Sequence, residues 1–171
     1  PCSENFTKET VAEDVLANWL NGHQLWEKIR MTGGAYGGGC SVNPIRKNFA
    51  MRSWRDPTPL KSIKVFEESL KELSEITLSE ENVECSIIST YSDSIVVESP
   101  SSRGDTALIL YLYGRNSKLL KEKISYLLQV TPKDVQDAAK RLYENFKNAH
   151  SELICVDNSE QIASNIPQIL I

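Results

Sequence analysis

The sequence predicts an α+β fold, an antiparallel sheet with helices packed against it. Three observations carry the prediction. Apolar residues recur at helical spacing over several long segments, and two short runs joined by an Asn43-Pro44 turn read as neighbouring strands. Punctuation at Asn21-Gly22, Asp56-Pro57 and Gly114 separates these segments. With 171 residues the chain is long enough for a core of its own, so residues 1–171 are read as a single domain.

Val11, Val15, Leu16, Trp19 and Leu20 share one face, predicting a helix from Thr7 to about Leu20 that stops at Asn21-Gly22. Leu25, Trp26 and Ile29 give a shorter helical turn ending near Arg30. Ala35 to Val42 and Phe49 to Trp54 read as strands whose closeness in sequence favours antiparallel pairing. Arg55-Asp56-Pro57 ends the second strand. A long helix follows, with Leu60, Ile63, Phe66, Leu70, Leu73 and Ile76 on its apolar stripe. Ser79 is a predicted N-cap for a helix from Glu80 to about Tyr91. Ser99 to Gly104 reads as a loop, then Asp105 to Tyr113 as a helical apolar segment closed by Gly114.

Asn116 is the expected cap of a helix from Ser117 to about Leu128. Thr131-Pro132-Lys133-Asp134 is a helix start, with Val135, Ala138, Ala139, Leu142 and Phe146 on the buried face. Ser151 to Val156 reads as a short strand and Asn158 to Ile166 as a terminal helix. Three strands make a small sheet for this much helix, so either a further strand escapes the pattern or the sheet is incomplete at its N-terminal side because the chain begins after strands of the same domain. The start at Pro1 without an initiating Met agrees with the second expectation, that the chain is a piece of a longer one.

Composition bounds the function. Hydrophobic content of 40% and charged content of 25% are ordinary for a globular protein. A net charge of −4 and a pI near 5.3 argue against a nucleic-acid partner and against an anionic membrane surface. The densest basic run, Arg115, Lys118, Lys121 and Lys123, is interrupted by Glu122 and reads as a solvated face. Cys2, Cys40, Cys85 and Cys155 form no C-x-x-C pair, which excludes zinc-ribbon and thioredoxin spacings and favours reduced thiols. The expected compartment is therefore the cytoplasm, with an organelle matrix as the alternative. No stretch near Pro1 reads as a signal peptide, and the longest apolar run, Ala107 to Tyr113, is too short to span a bilayer.

The most unusual stretch is Leu25 to Gly39, where five glycines fall within the seven residues 33–39. Such density suggests close approach of something to the backbone. Phosphate is excluded as that ligand. The glycines precede a strand rather than a helix, and no Lys-Ser or Lys-Thr follows, so both the P-loop and the dinucleotide fingerprint fail. His23 and His150 are the only histidines, and neither H-E-x-x-H nor H-x-x-E-H occurs. His23 and Glu27, four apart, supply two ligands where zinc needs more, so no metal site is assigned to this chain. No G-x-S-x-G elbow is present either.

Arg30 and Tyr36 remain, on either side of Gly33-Gly34. A guanidinium and a phenol aimed into one concavity are donors suited to a carbonyl oxygen gaining charge. Equally, Arg30 can cap its own helix end and Tyr36 can pack on the sheet. The residues alone leave both readings open.

Leu25-Trp26-Glu27-Lys28-Ile29-Arg30, then Gly33-Gly34-Ala35-Tyr36-Gly37, then Arg55-Asp56-Pro57, resemble the C-terminal domain of insulinase-like (pitrilysin) zinc metallopeptidases, the presequence-protease branch above all. The likeness is strongest from about Val11 to Leu73 and beyond that rests on element order. It implies a peptide-degrading zinc metalloendopeptidase built as a clamshell. The N-terminal half of the same enzyme would bind zinc through H-x-x-E-H. The C-terminal half would close over the peptide substrate. By motif position Arg30 and Tyr36 would contact the substrate carbonyl, and no zinc would be bound by this chain. Gly33, Gly34, Gly37 and Gly38 are the expected substrate-binding positions, leaving room for an extended peptide beside the strand. The isolated chain is expected to be inactive. A non-catalytic scaffold domain of the same fold is the alternative that the resemblance allows.

Overall fold

The computed structural model describes residues 2–3, 7–44, 46–95, 99–114, 117–146, 148–149, 153–155 and 168–170. Helix α1 (Lys8–Gly22) is its centre. Thr7 caps it by accepting the Thr10 N–H at 3.4 Å. Val11, Val15, Leu16 and Leu20 are fully buried, and so are residues on its other faces, because the helix is surrounded. The hairpin lies on one side of it, with α3 (Glu80–Ser94), α5 (Ser117–Leu127) and α6 (Pro132–Phe146) around the rest.

One charged residue sits inside this core. Glu13 has no solvent exposure, yet it accepts hydrogen bonds from Arg141 Nη2 (2.9 Å), the Ser3 amide (3.0 Å) and Ser3 Oγ (2.9 Å). A buried carboxylate survives when paired and hydrogen-bonded in this way. The bond to Arg141 also ties α1 to α6.

The hairpin is the predicted antiparallel pair. Strands β1 (Gly37–Asn43) and β2 (Asn48–Trp54) pair from Gly37 opposite Trp54 to Asn43 opposite Asn48. Helix α2 (Pro59–Glu75) follows and packs on α6. Phe66, Leu70 and Leu73 of its predicted stripe are buried, Leu60 and Ile63 are half-buried, and Ile76 is the exposed residue that ends the helix. Ser79 caps α3, accepting the Asn82 N–H, and α3 runs three residues past the expected Tyr91. Thr131 and Asp134 cap α6 reciprocally: Thr131 Oγ1 accepts the Asp134 N–H, and Asp134 accepts the Thr131 N–H at 2.8 Å.

Two expectations need correction. Ser99 to Gly104 is not a loop: helix α4 spans Pro100–Leu112, with Ser99 accepting the Ser102 N–H and Pro100 in the first turn. Ser-Pro is a helix-start pair as well as a turn signal, and here the cap wins. None of the α4 residues is buried. The late strand does not join the hairpin. Strand β3 (Leu153–Cys155) pairs in parallel with β4 (Gln168–Leu170), a strand that the sequence pattern did not reveal. The cap expected at Asn116 and the terminal helix expected at Asn158–Ile166 lie outside the described residues. Among the described residues no helix is long and apolar enough to cross a membrane.

Candidate functional site

The site is built at the open end of the hairpin. After α1, Trp26–Met31 forms a π-helical turn rather than a regular α-helix, closed by the Thr32 N–H bonding to Glu27 O at 2.9 Å. Such turns recur at functional positions. Ile29 is its buried anchor, while Trp26 and Arg30 stay exposed. The turn that follows depends on its glycines. A Cβ on Gly33 would lie 2.6 Å from Ile29 O, and Gly34 has φ +78°. No larger residue fits the first position, and the second favours glycine.

Gly37 and Gly38 serve the packing of the chain itself. Side chains alternate faces along a strand. The space on one face at Gly37 is filled by the Trp54 indole, and on the other face at Gly38 by Ile29. The faces of β1 at these two positions are therefore filled by the protein's own side chains. Further along, Asn21 takes both backbone groups of Cys40, accepting its N–H at 2.6 Å and donating to its C=O at 2.9 Å. Cys40 itself is buried, and burial pushes its thiol far above the usual range despite Arg52.

Arg30 and Tyr36 lie on opposite sides of the turn, and no hydrogen bond joins them. Each is held by a different partner. The Arg30 guanidinium sits 4.1 Å above the centre of the Trp26 ring, and the Arg55 guanidinium sits 5.1 Å above the Tyr36 ring. Both distances are within the range of cation–π attraction. Two carbonyls of the turn are taken by backbone amides (Thr32 on Glu27 O, Ala35 on Ile29 O) rather than by Arg30. Tyr36 is 61% exposed and does not pack into the sheet. The two side chains thus present donors to solvent from a fixed base.

Trp26 and Arg55 lie in the motifs that carry the resemblance, but the sequence reading gave neither a place in the candidate site. Signals for both were present. Trp26 precedes Arg30 by four residues on one helical face, and Arg55 falls opposite Tyr36 once the hairpin is continued one step. Among the described residues no three of His, Cys, Asp and Glu come together to hold a metal ion.

Comparison with known proteins decides the family. The family described as the PreP C-terminal domain matches residues 8–160. The chain belongs to that family. Its relatives include presequence protease 1, chloroplastic/mitochondrial, of Arabidopsis thaliana, 27% identical over 128 residues, which are 75% of this chain and 12% of that protein. The mitochondrial presequence protease of Schizosaccharomyces pombe is 24% identical over 148 residues, 86% of this chain and 15% of the relative. An uncharacterized protein of Borreliella burgdorferi is 25% identical over 170 residues, 98% of this chain and 17% of the relative. The chain thus spans less than a fifth of the length of the relatives it matches. The match to the PreP C-terminal domain agrees with the resemblance carried by Leu25 to Gly37 and Arg55 to Pro57.

Proposed function

We propose that residues 1–171 act as one C-terminal domain of a zinc-dependent, peptide-degrading metalloendopeptidase, supplying substrate and oxyanion contacts but not the metal. Arg30 and Tyr36 donate to the scissile carbonyl oxygen as it gains negative charge. Gly33 and Gly34 set the spacing of the two donors, and Gly37 and Gly38 allow Trp54 and Ile29 to close the strand beneath them. The peptide substrate and the N-terminal half of the same enzyme are the partners. Zinc, held by that half, supplies Lewis acidity when bound.

The observation that supports the reading most is the exposure of Tyr36 and Arg30 on a turn whose backbone is fixed by close packing at Gly33. Preorganised donors of this kind are what developing charge requires. Of the two compartments expected, the names of the Arabidopsis and Schizosaccharomyces relatives support an organelle matrix over the cytoplasm.

The test joins this chain to the zinc-bearing remainder of the enzyme and follows cleavage of a peptide. Zinc-dependent cleavage is expected only with both parts. Tyr36→Phe is expected to lower kcat about a hundredfold with little change in KM, the usual loss for one oxyanion donor. Wild-type turnover by Tyr36→Phe would sink the role given to that hydroxyl.

A further inference from the structure

Arg55 follows β2 with φ +48°, a left-handed conformation that non-glycine residues rarely adopt. The surroundings hold it there. Its C=O accepts the Tyr36 N–H at 3.3 Å. The next residue, Asp56, accepts the Thr58 N–H at 2.8 Å and the Ser62 hydroxyl at 2.6 Å, locking the chain into the start of α2. Backbone strain retained by this much support points to a function for the side chain it aims. That side chain is exposed, and its guanidinium covers the face of the Tyr36 ring.

We propose that Arg55 is a positioning residue for Tyr36. Resting on the reading of Tyr36 as an oxyanion donor, the proposal adds what holds that donor in place. An aromatic ring that is 61% exposed has little packing to select one rotamer. Arg55 supplies the selection through its guanidinium on the ring, while its carbonyl fixes the Tyr36 backbone from which the ring projects. The phenol then presents its O–H in one direction when the peptide arrives, and no reorganisation is needed as charge develops. The guanidinium lies over the ring face, so Arg55 is assigned to act through Tyr36.

The test uses the enzyme that contains this chain joined to its zinc-bearing remainder. Arg55→Gly removes the cation while relieving the left-handed backbone, so a loss of rate is not a folding defect; the melting temperature checks this. Arg55→Gly is expected to lower kcat about two- to fivefold at unchanged KM, the size of an exposed cation–π contact. Arg55→Lys, which keeps a cation, is expected to recover part of the loss. In the Tyr36→Phe background Arg55→Gly is expected to change nothing further. Additive losses in the double variant, a loss carried by KM alone, or wild-type kcat in Arg55→Gly would each overturn the assignment of Arg55 while leaving Tyr36 untouched. Full turnover by Tyr36→Phe alone would overturn both.

Discussion

Gly33 is the residue on which the site geometry depends most, and Gly33→Ala tests this. The added methyl would lie 2.6 Å from Ile29 O and 2.9 Å from Lys28 O, closer than Cβ atoms approach anything. Both neighbours are backbone. Ile29 O, the closer of the two, is also engaged, accepting the Ala35 N–H at 3.1 Å, so it cannot swing aside freely. The clash is therefore placed at the upper end of overpacking costs, about 3 kcal/mol. Restricting the unfolded chain returns about 0.7 kcal/mol. The net loss of about 2 kcal/mol corresponds to a fall in Tm of roughly 4–8 °C for a chain of this size.

Two neighbouring glycines serve as controls. A Cβ on Gly37 comes closer still, 2.3 Å, but to the indole of half-exposed Trp54, which can rotate away. Gly34→Ala has open space, with the nearest atom at 3.7 Å, and pays only for φ +78°, about 1 kcal/mol. Thermal unfolding followed by circular dichroism should rank Gly33→Ala as the most damaging of the three. An unchanged Tm for Gly33→Ala, or a larger fall for Gly37→Ala, would refute the reasoning that backbone contacts cannot yield where side chains can.

Other expectations follow from groups outside the turn. Arg141→Met strands a fully buried carboxylate and should cost about 3 kcal/mol, whereas Glu13→Gln leaves a partly exposed guanidinium that reaches water and should cost less; urea denaturation giving the reverse order would contradict the account of this pair. Burial pulls the Asp134 carboxyl up, but hydrogen bonds from Lys8 and Thr131 outweigh it and hold the group below its ordinary value of 3.8. Its contribution is thus present above that value and lost as pH falls through the lower folded-state value, so the Tm difference between wild type and Asp134→Asn should persist at pH 7 and vanish on acidification. Cys85 is exposed while Cys40 is buried with its thiol pushed up, so mass-mapped alkylation at pH 8 should modify Cys85 quickly and Cys40 only on unfolding.

The parts of the fold that were legible are those whose cause is local. α2 and α6 announce themselves by apolar spacing, and Ser79 and Thr131 by caps whose hydrogen bonds the structure contains. α4 was misread at its start because Ser99-Pro100 and Gly104 serve turns and helix starts alike; Gly104 meets nothing within 4 Å, so it costs the exposed helix only its weak propensity. β4 was missed for a different reason, whereas β3 falls inside the strand expected from Ser151 to Val156. Three-residue strands carry no readable alternation, and parallel pairing between Leu153–Cys155 and Gln168–Leu170 is a non-local event.

The candidate site shows the same division at finer scale. Its positions on either side of the turn followed from sequence, but the partners of its side chains did not, since these depend on hairpin register. Register sets Trp54 over Gly37 and carries Arg55 to Tyr36, while the buried Ile29 closes the other face at Gly38. Both faces of β1 are thus covered just behind the turn. Under the proposed reading, a peptide then finds its donors at the hairpin end, where Arg30 rests on Trp26 and Tyr36 lies beneath Arg55, and not along the middle of the strand. On that reading, the glycines let the protein's own Trp54 and Ile29 pack against β1 directly behind the donors.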